Sequence, residues 1–296
     1  MTAQRSGYAY LAFAMGVFAL SFPLMVVALR DFGPGTATLV RMSAATAILA
    51  VAARGTFGAL RGSVPRIAII GALGLGVQSW LLAYAMTHVG GALPALVLGL
   101  EPIVIGLVGS LVMREHVSGR LYAAFALGLA GEAVIAGFVT AGPAERPLLP
   151  LAALACVVCL FSLYSVSLRQ LAALPSAAVV CVSTSGAAVA AVPFFAVELV
   201  RGDAMTLHAG SASALLFTGF AAAGLGSLAW AAALSRLPTA VAALGLYVVP
   251  LGGALASHVG LDEPLYARHV VGAVIVVAAI VLGRSGRSVR TPAVAA

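Results

Sequence analysis

Apolar residues fill this chain in runs of about 20, and the breaks between runs carry Gly, Pro and Arg. A helix of that length crosses the roughly 30 Å hydrocarbon layer of a bilayer. Reading runs against breakers predicts ten membrane helices, at 8–29, 35–53, 66–87, 92–113, 118–139, 148–169, 175–197, 211–233, 239–259 and 265–283. The first run is too long for a removable signal peptide and lacks a small-residue cleavage site. The expected fold is therefore an all-α membrane protein.

The charges sit almost entirely in the short connections. With ten spans both termini share one face, and that face collects Arg5, Arg54, Arg61, Arg66, Arg114, Arg120, Arg169, Arg236, Arg284, Arg287 and Arg290 against Glu115. The other face holds Arg30, Arg146, Arg201 and Arg268 against Asp31, Glu145, Glu198, Asp203, Asp262 and Glu263. Eleven Arg against four predicts cytoplasmic N- and C-termini by the positive-inside rule. Arg41, Glu101 and Glu132 are the charges left well inside spans.

Composition narrows the chemistry. The 296 residues are 62% hydrophobic and 8% charged, too few charges to cover a soluble fold, which averages about 25%. All 16 basic residues other than His are Arg. Without lysine there is no retinal or pyridoxal Schiff base and no phosphate-binding Walker lysine. The net charge of +7 lies in short loops, so it follows topology and not nucleic acid. Cys156, Cys159 and Cys181 fall in apolar runs and read as small packing residues. No nucleophile–base or metal-ligand spacing is present, so neither an enzyme, a cofactor nor a metal is expected. An Arg-only basic set suggests, by composition alone, a GC-rich bacterial genome; the expected place is the bacterial inner membrane, as a multi-pass protein.

A shift of 148 residues superposes the halves without gaps. It matches Gly71 with Gly219, Gly76 with Gly224, Ala85 with Ala233, Ala92 with Ala240, Leu96 with Leu244, Leu98 with Leu246, Pro102 with Pro250, Leu107 with Leu255 and Glu115 with Glu263. Each half holds five spans, an odd number, so the second enters the membrane upside down, as in many secondary transporters. The expected units are a first five-helix repeat at 1–142, an inverted second repeat at 143–290 and a short cytoplasmic tail at 291–296. The two halves are expected to rock against each other.

Pro102 and Pro250 lie about 15–17 Å into the fourth and ninth spans, near the midplane. They free the carbonyls of Leu98 and Leu246, and such backbone irregularity is tolerated where it lines a wet cavity. Simple kinks that shape packing are the plainer reading. Glu101 precedes Pro102. A charged, unpaired carboxylate at that depth costs several kcal/mol, so it should be protonated, paired or facing water, which suits either a proton-coupling residue or a structural acid. Its repeat mate is Val249, so the pair is asymmetric. Glu132 divides evenly between a structural and an ancillary polar role. Arg41 is near the outer end of its span and is expected to snorkel to the headgroups.

Near the same depth lie Gln78, Trp80, Tyr84, Phe161, Tyr164, Trp230 and Tyr247. Trp80, Tyr84 and His88 follow four-residue steps and share a helical face. Singly such aromatics usually pack or mark interfaces, but together they suit an amphipathic organic solute. His88 and His116 lie at loop edges, and His258 at the outer end of the ninth span. Gly71, Gly74 and Gly76 form no phosphate loop; their spacing reads as close helix packing.

Tyr84-Ala85-Met86-Thr87-His88, Ala92 through Leu100, Glu101-Pro102 and Glu115, repeated as Ala229-Trp230, Gly245 to Pro250 and Asp262-Glu263-Pro264, resemble the drug/metabolite transporter superfamily, EamA type. The resemblance covers essentially the whole chain. Within the superfamily the sequence is most similar to YddG-type aromatic amino-acid exporters. It implies a cavity lined by the first, third, fourth, sixth, eighth and ninth spans, with Glu101, Phe161 and Tyr247 in or beside it. It also implies efflux of small organic solutes by alternating access. Exporters of that type tend to carry an aromatic residue where this chain has Glu101.

The expected function is export of amino acids, aromatic or bulky apolar ones favoured. Gln78, Trp80, Tyr84, Glu101, Phe161, Tyr164, Trp230 and Tyr247 would bind the solute, with helix breaks at Pro102 and Pro250. Glu101 would couple a proton or bind the solute's ammonium. The expected partners are a small organic solute and the lipid bilayer, not nucleic acid, and a monomer can suffice. Efflux of cationic drugs, nucleosides or sugars is the alternative within this class; a membrane sensor or scaffold is the alternative outside it.

Overall fold

A computed structural model describes residues 2–89, 94, 97–113, 118–136, 148–202, 205–261 and 264–284. Several sequence expectations lie outside the described residues: those on Ala92, Leu96, Arg114, Glu115, His116, Glu145, Arg146, Asp203, Asp262, Glu263, Arg287 and Arg290, the boundary at 142 and the tail at 291–296.

Among the described residues the longer helices are α1 (Thr2–Ala28), α2 (Pro34–Ala52), α3 (Val64–Val89), α4 (Glu101–Met113), α5 (Gly119–Ile135), α6 (Leu148–Gln170), α7 (Ser176–Arg201), α8 (Ala209–Leu234), α9 (Thr239–Gly260) and α10 (Ala267–Arg284). Seven are long and apolar enough to cross a membrane; α4 and α10 are shorter apolar helices. Val270, Val274, Val277 and Val281 form an exposed stripe along α10. A soluble monomer rarely exposes such a surface.

Local chemistry sets the helix ends. Pro34 opens α2 behind an extended Gly33, a position where the missing N–H is harmless. Gly202, at φ 70, closes α7, a backbone conformation glycine adopts without a Cβ penalty. The α2 N-terminus is capped from another helix. Glu198, near the end of α7, accepts the Gly35 N–H at 2.6 Å, the Thr36 N–H at 2.8 Å and the Thr36 hydroxyl at 2.9 Å. At the same end of the bundle Asp31 accepts hydrogen bonds from the hydroxyls of Thr206 (2.8 Å) and Ser211, with His208 Nδ1 at 3.0 Å. At the other end Arg169 donates to the Leu234 carbonyl at 2.7 Å, and the Arg236 guanidinium lies over the Tyr10 ring at 4.9 Å. These are called the Asp31 end and the Arg169 end below.

The packing obeys a twofold pattern. Helices α2, α4 and α5 pack on their own repeat mates α7, α9 and α10; α1 packs on α8 and α9, just as α6 packs on α3 and α4. Exchanging the halves leaves this pattern unchanged. Among the described residues every helix finds its principal neighbours in the other half, so the sequence halves interlock. Helix α1 thus draws α8 and α9 to it, and α6 draws α3 and α4, each set taking helices from both halves.

Close approach depends on absent side chains. A Cβ on Gly71 would sit 2.1 Å from the Ser183 carbonyl oxygen, and one on Gly186 would sit 2.2 Å from that of Ala68. So α3 and α7 touch backbone to backbone, as small-residue spacing anticipates. Immediately after Gly71 and just before Gly219 both helices widen into π-helical turns, at Ala72–Val77 and Thr218–Gly226.

Candidate functional site

Helices α4 and α9 are broken at corresponding places. In the fourth, residues 97 and 98 are helical, 99 and 100 form a turn, and α4 restarts at Glu101. In α9, Thr239–Leu244 passes through a 3-10 turn at Gly245–Tyr247 before Val248 resumes the helix. The two prolines therefore stand in the first turn after each break. There a helix lacks an internal acceptor for the backbone N–H, so its absence costs little.

Between the breaks lies a cavity of about 1050 Å³, adjoining open solvent included. Five pairs of repeat mates line it: Leu75 with Ala223, Ser79 with Ser227, Leu98 with Leu246, Glu101 with Val249 and Pro102 with Pro250. The cavity thus straddles the relation that exchanges the halves. It reaches Met25 and Met86, near the last residues of α1 and the α3 rod, so it extends toward the Asp31 end.

Its wall is mostly apolar, from Phe18, Phe22, Met25, Leu75, Leu82 and Met86. Polarity comes from Ser21, Gln78, Ser79, Ser227, Glu101, Glu132 and Arg41. Glu101 and Glu132 are 7% and 1% exposed. Glu132 Oε1 and Arg41 Nε are buried without a hydrogen-bond partner. No ion pair joins Arg41 to either acid among the described residues.

Of the expected site residues, the structure brings Gln78, Glu101, Phe161, Pro102 and Pro250 to the cavity wall. Trp80 and Tyr84 lie elsewhere. They do share a face, but Trp80 stacks on Phe194 of α7 at 4.1 Å and on Tyr84 at 5.7 Å. Periodicity fixed the common face without saying which neighbour it meets. Tyr164 and Trp230 are buried behind Phe161, with ring centroids 6.4 and 6.5 Å from it, and the Trp230 indole donates to Ser165 Oγ at 3.2 Å. Tyr247 is buried and its hydroxyl donates to the Phe125 carbonyl at 2.9 Å.

These last three aromatics are buried outside the cavity wall. Their repeat mates are small or flexible: Gly16 for Tyr164, Leu82 for Trp230, Gly99 for Tyr247. Sequence reasoning missed Arg41 and Glu132 as wall residues, because depth alone does not give a side chain's direction. Ser79 and Ser227 were findable, since the 148-residue shift pairs them beside Gln78.

Comparisons with known proteins agree with this architecture. The model of the EamA-like transporter family matches residues 5–137 and again 148–283. A protein of Streptantibioticus cattleyicolor, described as a probable terminal-alkyne amino-acid exporter, is 27% identical over 268 residues, covering 90% of this chain and 89% of that one. A solved crystal structure superposes with a TM-score of 0.80 at 20% identity, over 95% of this chain and 96% of its own. At that identity it speaks for the fold alone.

Proposed function

Since this chain belongs to the EamA-like transporter family, we propose that it exports amino acids with apolar or aromatic side chains across a bacterial inner membrane by alternating access. The apolar runs support ten spans, five spans in each half support inverted repeats at 1–142 and 143–290, and the Arg asymmetry between faces supports cytoplasmic termini. With that orientation the cavity faces outward. The group α1, α8 and α9 rocks against α3, α4 and α6, hinging at the breaks before Pro102 and Pro250. Closing the Asp31 end while Tyr247, Trp230 and Tyr164 part would turn the cavity to the cytoplasm.

The observation that carries this reading is that one cavity touches both helix breaks, apolar in most of its wall and lined by Gln78 and Glu101. Apolar walls with a few placed polar groups suit a small amphipathic solute. The amino-acid exporter among its relatives supports the same cargo. Glu101 binds the solute's ammonium group and yields a proton in exchange, so one carboxylate serves cargo and proton in turn.

The test is efflux from proteoliposomes over a panel of amino acids, cationic drugs, nucleosides and sugars, with and without a proton gradient. Saturable flux of leucine, phenylalanine or propargylglycine is expected. Binding without flux would indicate a sensor, and flux confined to cations would overturn the cargo. Glu101→Gln should abolish stimulation by the gradient; transport with unchanged pH dependence would remove Glu101 from coupling.

A further inference from the structure

The cavity holds a fixed positive charge that the sequence had assigned to the lipid headgroups. Arg41 lies in the second turn of α2, within snorkelling distance of the interface. Its residue nevertheless forms part of the cavity wall. Its Nε is buried and hydrogen-bonds to nothing. Neither Glu101 nor Glu132 pairs with it among the described residues, although all three line the same space. Arginine does not deprotonate in proteins, so this charge persists whatever the protonation of the two acids.

Arg41 is half-buried; a guanidinium whose buried Nε has no partner lacks a counter-charge there, and a ligand that supplies one removes the deficit. The Nε–Nη edge of a guanidinium presents two parallel N–H donors, which match the two oxygens of a carboxylate. We infer that Arg41 is the carboxylate-binding residue of the cavity and that the cargo is a zwitterion, its carboxylate on Arg41 and its ammonium on Glu101. The inference rests on the amino-acid reading above and sharpens it. A monocation would enter beside an uncompensated guanidinium, and a simple monoanion would leave Glu101 unused. A zwitterion alone satisfies both, while Leu75, Leu82 and Met86 take its apolar side chain.

The experiment compares binding of L-phenylalanine and L-propargylglycine with binding of their carboxamides, which keep the ammonium and side chain but lose the anionic charge. It uses the full-length protein in lipid nanodiscs. Wild type should bind the acids at least about 30-fold more tightly than the amides, the scale expected for removing one member of a buried charge pair. Arg41→Gln should bring that ratio close to one by weakening the acids alone, and Arg41→Lys should restore part of it. A purely structural role for Arg41 would weaken acids and amides together and would overturn the inference. So would wild-type binding of acids and amides with equal affinity, a comparison that needs no variant to fold. If wild type binds neither acids nor amides, the amino-acid reading falls and this inference with it; if it binds both alike, only this inference falls.

Discussion

Gly71→Ala measures how tightly the helices are interlocked. A Cβ at this position would lie 2.1 Å from the Ser183 carbonyl oxygen and 2.3 Å from Ser183 Cα, whereas ordinary contact begins at 3.4 Å. The obstacle is backbone, so no rotamer change relieves it, and α3 must back away from α7 by more than an ångström. Overpacking typically costs about 1–3 kcal/mol, and an immovable neighbour puts Gly71→Ala at or above the top of that range. The repeat mate is a graded control. At Gly219 the Cβ would meet the Ala44 Cβ at 2.8 Å and the Arg41 carbonyl oxygen at 3.0 Å, a clash within the lower half of that range. At Gly16 nothing lies within 4 Å, so Gly16→Ala should be neutral or stabilising by about 0.5–1 kcal/mol through helix propensity. Thermal unfolding of the detergent-solubilised chain, followed as loss of the monodisperse peak, should place Gly71→Ala about 5–10 °C below wild type. Gly219→Ala should fall between and Gly16→Ala at or above wild type. Gly71→Ala as stable as Gly16→Ala, or a reversed order of the two repeat mates, would refute the backbone contact.

Two further predictions concern the Asp31 end. Glu198→Ala removes the acceptor shared by the Gly35 and Thr36 N–H groups; loss of a cap costs about 0.5–2 kcal/mol and should appear as faster amide exchange in the first turn of α2, with unchanged exchange there counting against it. Hydrogen bonds from Ser211 and then Thr206 hold the Asp31 carboxyl below its usual value near 3.8. A carboxylate so held stabilises the fold fully above its unfolded pKa and loses that contribution as pH falls through the lowered one. Amide protection over 205–211 should therefore be flat from pH 7 to about 5 and fall below pH 4; protection unchanged at pH 3 would contradict the assignment.

Much of the frame was legible in the residues. Pro34, Pro175 and Pro238 stand at helix starts, and the pairs Pro102/Pro250 and Leu98/Leu246, found by the 148-residue shift, line one cavity. The less legible features are set by tertiary neighbours. The four-residue steps of Trp80 and Tyr84 define a helical face whichever way the helix turns, and it is Phe194 that receives it. Tyr247 has a Gly mate, yet only the Phe125 carbonyl explains why its hydroxyl is buried. Arg41 has a side chain long enough for either the headgroups or the cavity, so its direction depends on packing around α2. The interlocking of the halves was equally hidden, because a sequence repeat reports resemblance between segments and not which segments touch.

The central claim is that one cavity meets both sides of the membrane in turn. Ser79→Cys places a thiol on its wall in a chain whose own Cys156, Cys159 and Cys181 are replaced by Ser. Sealed vesicles of each orientation are then treated with a membrane-impermeant maleimide. The account predicts labelling from the Asp31 face at rest and, with transported amino acid present, from the opposite face as well. Labelling from the Asp31 face alone, at every amino-acid concentration that supports flux, would contradict it.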